Sequence, residues 1–411
     1  MKNRELNNFQ RLLLYKDIFS KSKAIKEFSL KNRFLLTKLI NYHKHRYYKD
    51  KVVFHTLFPP FPSEAFDKQI INLKKAACEG IIIPHAAHIS ITDECNYNCW
   101  HCSRYGRKGK PTSPRIFIKT IKNLLKIGTS MFAFTGGEPV LCKDLLEYLR
   151  IVEKNKGYSM IFTTGLGITE KKAVELKKAG LYFAIISLDH YDPEIVNKLR
   201  KNKKAFENAI NAIKNCKKEG IYTSIQTVVT KELIENNKIE KFLKFSSALG
   251  VDEVRFMEEL PCGKFLFSEN SCYSPNFNFM KKIMLKANKI KDFPTVIYLP
   301  YTENPELLGC GAGQQFIYID TQGNVSPCDM VPLSFGNIKK ENVNKIINRM
   351  QRILDKPLSS CLSKRAKPFI RKKIKEKQEL PLEIKESTEI CNSCKDNISS
   401  KFYKKLKENE P

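Results

Sequence analysis

A chain of 411 residues with 42% hydrophobic and 28% charged residues can bury a substantial core in two domains and has the balance of a soluble globular protein. No apolar run approaches the roughly 20 residues needed to span a bilayer, and Met1–Asn8 lacks a signal peptide's apolar centre, so a cytoplasmic location is expected. The net charge of +29 comes from 58 lysines and only 14 arginines, so no nucleic-acid partner is expected; an acidic substrate or an anionic membrane surface suits the charge better.

Residues 1–85 read as a basic helical N-terminal extension. Residues 1–60 hold 14 Lys/Arg against 4 Asp/Glu. Apolar groups at Leu12-Leu13-Leu14, Ile18-Phe19, Ile25, Phe28, Phe34-Leu35-Leu36 and Leu39-Ile40 predict short helices with one apolar face. Those faces suit packing on the rest of the protein, peripheral contact with an anionic membrane, or binding a leader segment of a peptide. Phe58-Pro59-Pro60-Phe61-Pro62 breaks helix and predicts an extended connector.

From residue 86 strands and helices alternate. The strands are expected at His88–Ile91, Met131–Thr135, Ser159–Thr163, Tyr182–Leu188, Tyr222–Val229 and Glu253–Met257. Helical patterns lie between them, and Gly128, Gly180, Gly220 and Gly250 follow four of these as helix stops. Six such repeats imply a parallel sheet with right-handed crossovers.

The first strand runs into Cys95, Cys99 and Cys102, spaced C-x3-C-x2-C. Three thiolates on one loop can wrap one face of a [4Fe–4S] cube and leave its fourth iron open; three zinc ligands with a distant fourth are the alternative. The second strand ends in Gly136-Gly137-Glu138-Pro139. Two glycines let backbone approach a ligand closely, and Glu138 offers a carboxylate suited to an ammonium.

Together these two signatures resemble those of the radical S-adenosylmethionine (radical SAM) enzymes, over about residues 86–395. The family's cluster pattern is C-x3-C-x-aromatic-C, with His101 here in the aromatic place. The resemblance implies an α/β fold: a partial (β/α)6 TIM-like barrel over 86–300, with active residues at the C-terminal ends of the strands. It implies that Cys95, Cys99 and Cys102 bind the cluster. S-adenosylmethionine would chelate the open iron, with Gly136, Gly137, Glu138 and Pro139 at its amino group. One electron, from a donor such as flavodoxin or ferredoxin, would cleave the sulfonium and give a 5′-deoxyadenosyl radical that abstracts a substrate hydrogen. Ser187 and Asp189, in Ser187-Leu188-Asp189, resemble the run whose serine approaches the ribose, and alternation puts both on one strand face. Relatives often read Thr-Asn-Gly where this chain has Thr163-Thr164-Gly165. Gln226, Thr227 and Arg255 are polar groups inside apolar strands, each either a site residue or a satisfied core residue.

Residues 301–411 carry a second cysteine group. Phe316–Ile319, a turn at Thr321–Asn324 and Val325 predict a β-hairpin flanked by Cys310 and Cys328, and Cys391-x2-Cys394 lies near the end. Four thiolates saturate a [4Fe–4S] cluster or close a structural zinc site. The hairpin resembles the auxiliary-cluster domains of the superfamily, called SPASM or, when shortened, twitch. Its cysteine block is shortened here, so one auxiliary [4Fe–4S] cluster held by Cys310, Cys328, Cys391 and Cys394 is expected, with Cys361 able to replace a member of the pair. Residues 362–388 read as a solvated spacer. Cys262 and Cys272 lie near the barrel mouth, and Cys142 and Cys216 read as packing.

The function expected is that of a radical SAM oxidoreductase or transferase acting on a peptide or a small molecule, in peptide modification or cofactor maturation. The alternative is a non-catalytic iron–sulfur or zinc-binding regulatory protein.

Overall fold

The computed structural model describes residues 4–5, 8–40, 44–48, 50–107, 109–268, 272–375, 380–396 and 400–410. The extension is not wholly helical. Helices Asn8–Lys21 and Leu30–Ile40 stand beside a small antiparallel sheet of β1 (Arg4–Glu5), β2 (Arg46–Tyr48) and β3 (Lys51–Val53). Leu14, Ile18, Ile25, Phe28 and Leu36 are buried against Phe66 and Ile70 of helix Glu64–Lys74 and against Phe402 and Leu406 of helix Lys401–Glu408. The basic helices thus pack part of their apolar surface on the protein itself, while Leu13, Leu30 and Phe34 stay exposed. Among the described residues no helix is long and apolar enough to cross a membrane.

The barrel strands are β4 (Ala86–Thr92), β5 (Met131–Gly136), β6 (Tyr158–Thr163), β7 (Leu181–Ser187), β8 (Tyr222–Val228), β9 (Glu253–Met257) and β10 (Thr295–Tyr298). They pair in parallel in chain order, forming a partial TIM-like barrel. Helices pack on the outside: Phe117, Ile121 and Leu124 of Pro114–Ile127, and Tyr148, Leu149 and Val152 of Leu145–Lys154, join one core with Phe132 and Phe134 of β5. Gly128, Gly180, Gly220 and Gly250 all have positive φ, the left-handed conformation that ends a helix.

Two features go beyond the six expected strands. Thr295–Tyr298 adds β10, a seventh strand too short to stand out as a pattern. The expected hairpin forms as β11 (Phe316–Ile319) and β12 (Val325–Ser326), but β11 also pairs in parallel with β4, Phe316 opposite Ala86. One nine-stranded sheet therefore runs from barrel to hairpin, across the boundary expected near residue 300. The hairpin is held rigidly against the start of the cysteine loop.

Candidate functional site

A cavity of about 610 Å³ lies at the C-terminal ends of the barrel strands and extends to the hairpin. Cys95, Cys99 and Cys102 line it on one side; Cys310 and Cys328 line it on the other.

The cysteine loop leaves β4 and is fastened on two sides. The Gly137 N–H donates to Thr92 O at 2.8 Å and the Glu138 N–H donates to Glu94 O at 2.7 Å. A Cβ on Gly136 would stand 2.3 Å from Thr92 O, and one on Gly137 2.1 Å from Glu94 O. The two glycines are required where the turn meets the loop. Opposite, the Lys264 N–H donates to Cys102 O at 3.1 Å, and Lys264 Nζ donates to Asn98 O at 3.0 Å and Cys99 O at 2.7 Å. A Cβ on Gly263 would stand 1.9 Å from Cys102 O.

Gly136, Gly137, His101 and Ser187 line the cavity; Glu138, Pro139 and Asp189 do not. The Glu138 carboxylate is fully buried and already engaged. It accepts from Thr163 Oγ1 at 2.6 Å, Thr164 N at 2.8 Å and Thr164 Oγ1 at 2.6 Å. Burial raises its pKa against the pull of those donors. Instead of reaching into the cavity, Glu138 ties the end of β5 to Thr163-Thr164, which do line it. Thr164 is thus used by the fold.

Asp189 departs from its expected face because β7 ends at Ser187, so the alternation does not extend to it. It is buried, with Oδ2 2.7 Å from Arg200 Nε, an ion pair without a well-directed hydrogen bond. Arg200 closes helix Pro193–Arg200, lines the cavity and points Nη1 at Cys99 Sγ, 3.7 Å away. Burial pushes the Cys99 thiol up and Arg200 pulls it down. No motif announces Arg200. Its basic character and helix-end position are ordinary, and only folding brings it to the loop.

A cation here stabilises the more negative, reduced state of a thiolate-held cluster. Replacing Arg200 with Gln and Asp189 with Asn together removes it without stranding a buried charge. The cluster's reduction potential is expected to become more negative, read by EPR-monitored redox titration; an unchanged potential would count against this role.

Of the polar strand residues, Gln226 and Arg255 line the cavity, whereas Thr227 is satisfied in the core, donating to Leu188 O at 2.7 Å. Arg255 Nη1 donates to Thr56 Oγ1 at 2.6 Å, and Gln226 Oε1 is buried without a protein partner. Glu303 also lines the cavity, and burial, then Asp329 and Glu258, push its pKa up to about 7.

The expected four of the second cysteine group are divided between the cavity and the core. Cys310 and Cys328 share the cavity with Cys361 and Cys262, while Cys391 and Cys394 do not line it. Those two are buried on helix Ile384–Cys394, within the apolar core. The reason is local pairing. Cys310 bridges Leu358, N–H to O at 2.8 Å and back at 3.1 Å, which carries Cys361 to the cavity wall. Residues 362–388 are likewise no mere spacer: helix Leu362–Lys375 buries Leu362, Ala366 and Ile370, and Lys364 pairs with Glu258. Among the described residues no three His, Cys, Asp or Glu side chains stand close enough to share one metal ion; thiolates around a four-iron cube stand farther apart than those around one zinc.

Residues 89–245 match the radical SAM superfamily, and residues 310–395 match SPASM, an iron–sulfur cluster-binding domain. Among solved structures, the fold is similar to that of SuiB from Streptococcus suis bound to its precursor peptide SuiA. The TM-score is 0.56 at 17% identity, over 68% of this chain and 67% of that one. It is also similar to anSMEcpe with bound S-adenosylmethionine, with a TM-score of 0.53 at 19% identity over 79% and 95%. With both cysteine centres set in domains that match by sequence as well as by fold, the chain belongs to the radical SAM superfamily: it is an enzyme that uses S-adenosylmethionine and a [4Fe–4S] cluster and carries a SPASM auxiliary domain.

Proposed function

We propose that this enzyme abstracts a hydrogen atom from a peptide substrate held in the cavity between its two cysteine centres. The observation that carries the reading is that single cavity, lined at once by the C-x3-C-x2-C loop and by the hairpin cysteines. The peptide-bound relatives, SuiB with SuiA and anSMEcpe with the Cp18Cys peptide, support peptide over small-molecule substrates.

In this reading Cys95, Cys99 and Cys102 hold the radical cluster, and their fit is physical. All three face the cavity, their loop is pinned from both sides, and Arg200 offsets thiolate charge. A cluster held there with S-adenosylmethionine beside it would supply the radical chemistry that removes a substrate hydrogen. Gly136 and Gly137 bring backbone to the cofactor's amino end, and Glu138 with Pro139 fixes that turn from behind. His101 lies within the cysteine loop, its pKa lowered to about 4 by burial and then by Arg200, so it is neutral at physiological pH. Ser187 and Gln226 offer polar atoms toward the ribose and substrate, with Asp189 acting through Arg200. Glu303, whose carboxyl burial pushes up to about 7, faces the same cavity and is suited to donate a hydrogen bond to a bound substrate. The electron comes from a low-potential donor such as flavodoxin or ferredoxin in the cytoplasm.

The test uses deuterium. The loaded enzyme, dithionite and S-adenosylmethionine are mixed with extract from cells grown in heavy water, and 5′-deoxyadenosine is analysed by mass spectrometry. Deuterium transfer from the peptide-sized fraction, lost after protease digestion, is expected. Transfer that survives protease and follows the small-metabolite or lipid fraction would contradict a peptide substrate.

A further inference from the structure

We infer that the auxiliary iron–sulfur cluster is held by Cys262, Cys310, Cys328 and Cys361, and that Cys391 and Cys394 serve the fold and not the metal. This rests on the reading of the chain as a two-cluster enzyme and settles which thiols make the second site.

Four observations carry it. First, these four thiols line one cavity, and the terminal pair does not. Second, the local backbone aims donors at the sulfurs. The N–H groups of Leu362 and Ala312 face the Cys310 thiol, those of Lys364 and Ser363 face Cys361, and the Met330 N–H donates to Cys328 Sγ at 3.3 Å. Backbone N–H groups placed at sulfur suit a cluster-bound cysteine, since hydrogen bonds to the sulfurs are part of how a protein holds such a cluster. Cys391 is instead buried in the apolar core on helix Ile384–Cys394. Its surroundings are those of a small core hydrophobe.

Third, the four fall into two pairs, each joined by short links. Leu362, whose N–H faces Cys310, directly follows Cys361. Cys262 Sγ lies 3.4 Å from Met330 Sδ, and Met330 is the residue that donates to Cys328. Fourth, Cys262 stands two residues before Lys264, whose N–H holds Cys102 O at 3.1 Å, so one short segment connects the second site to the radical-cluster loop. Four thiolates from four segments saturate a [4Fe–4S] cluster, and none of them needs the terminal helix.

The test reads iron, not turnover. A chain with Cys95, Cys99 and Cys102 replaced by alanine isolates the second site; after anaerobic reconstitution it is expected to hold about four irons. Adding Cys361→Ala or Cys262→Ala is expected to lower that several-fold and to change the Mössbauer and EPR signatures. Adding Cys391→Ala with Cys394→Ala is expected to leave both unchanged. Iron lost with the terminal pair and kept without Cys361 or Cys262 would overturn the assignment. So would an absence of iron from the background chain, which marks a missing cluster and not a wrong ligand set. Because buried substitutions can impair folding, the unaltered chain gives a second readout. Alkylation of Cys361 by iodoacetamide is expected to slow at least tenfold on cluster loading, and an unchanged rate would overturn the proposal.

Discussion

Replacing Cys95, Cys99 and Cys102 together with alanine is expected to abolish cleavage of S-adenosylmethionine and to remove about half of the bound iron. The argument is one of coordination. The three thiols stand on one loop lining the cavity, and alanine leaves no atom there to hold iron. The iron that remains belongs to the hairpin centre, which other chain segments build. The folded state should survive, because the loop is fixed by backbone contacts to Gly137, Glu138 and Lys264 that do not involve the thiols. Iron and sulfide analysis together with chromatography of 5′-deoxyadenosine reads both halves. Undiminished cleavage in the triple variant would remove these cysteines from the site.

Gly137→Ala is expected to damage the site severely. The new Cβ would stand 2.1 Å from Glu94 O and 2.6 Å from Glu94 C, both backbone atoms that no side-chain rotation can clear. The turn and the cysteine loop must part, which strains or breaks the bonds from Gly137 to Thr92 and from Glu138 to Glu94. Overpacking of this kind costs roughly 1–3 kcal/mol. Because the turn also faces the cavity, affinity for S-adenosylmethionine should fall by about tenfold or more. Gly250→Ala is the comparison. Nothing lies within 4 Å of its added Cβ, so only its positive φ is penalised, at about 1–2 kcal/mol. Thermal unfolding and cofactor titration of the two variants check this. Equal cofactor affinity in both would contradict the fastening role of Gly137.

Much of this was legible in the sequence, for identifiable reasons. The six long strands announced themselves because parallel strands buried on both faces read as continuous apolar runs. The glycines after the helices marked their ends because a positive φ favours glycine. The C-x3-C-x2-C loop and Gly-Gly-Glu-Pro were visible because ligand spacing and close backbone approach are local properties. What depends on tertiary contact was not legible. Arg200 reaches Cys99 only because helix Pro193–Arg200 ends beneath the loop. No pattern shows that the Glu138 carboxylate accepts from Thr163 and Thr164. Cys361 read as a stand-in for a member of the C-x2-C pair, and Cys262 as a thiol near the barrel mouth. Their place on the cavity wall follows from the Cys310–Leu358 bridge and the Cys262–Met330 contact, both long-range in sequence.

The central claim is that this chain uses its three-cysteine loop to cleave S-adenosylmethionine reductively. The most direct measurement is 5′-deoxyadenosine formed by the anaerobically reconstituted full chain with dithionite and S-adenosylmethionine. The account predicts 5′-deoxyadenosine above background in the native chain and none when Cys95, Cys99 and Cys102 are alanine. A fully iron-loaded native chain that forms no 5′-deoxyadenosine, with or without peptide extract, would contradict it.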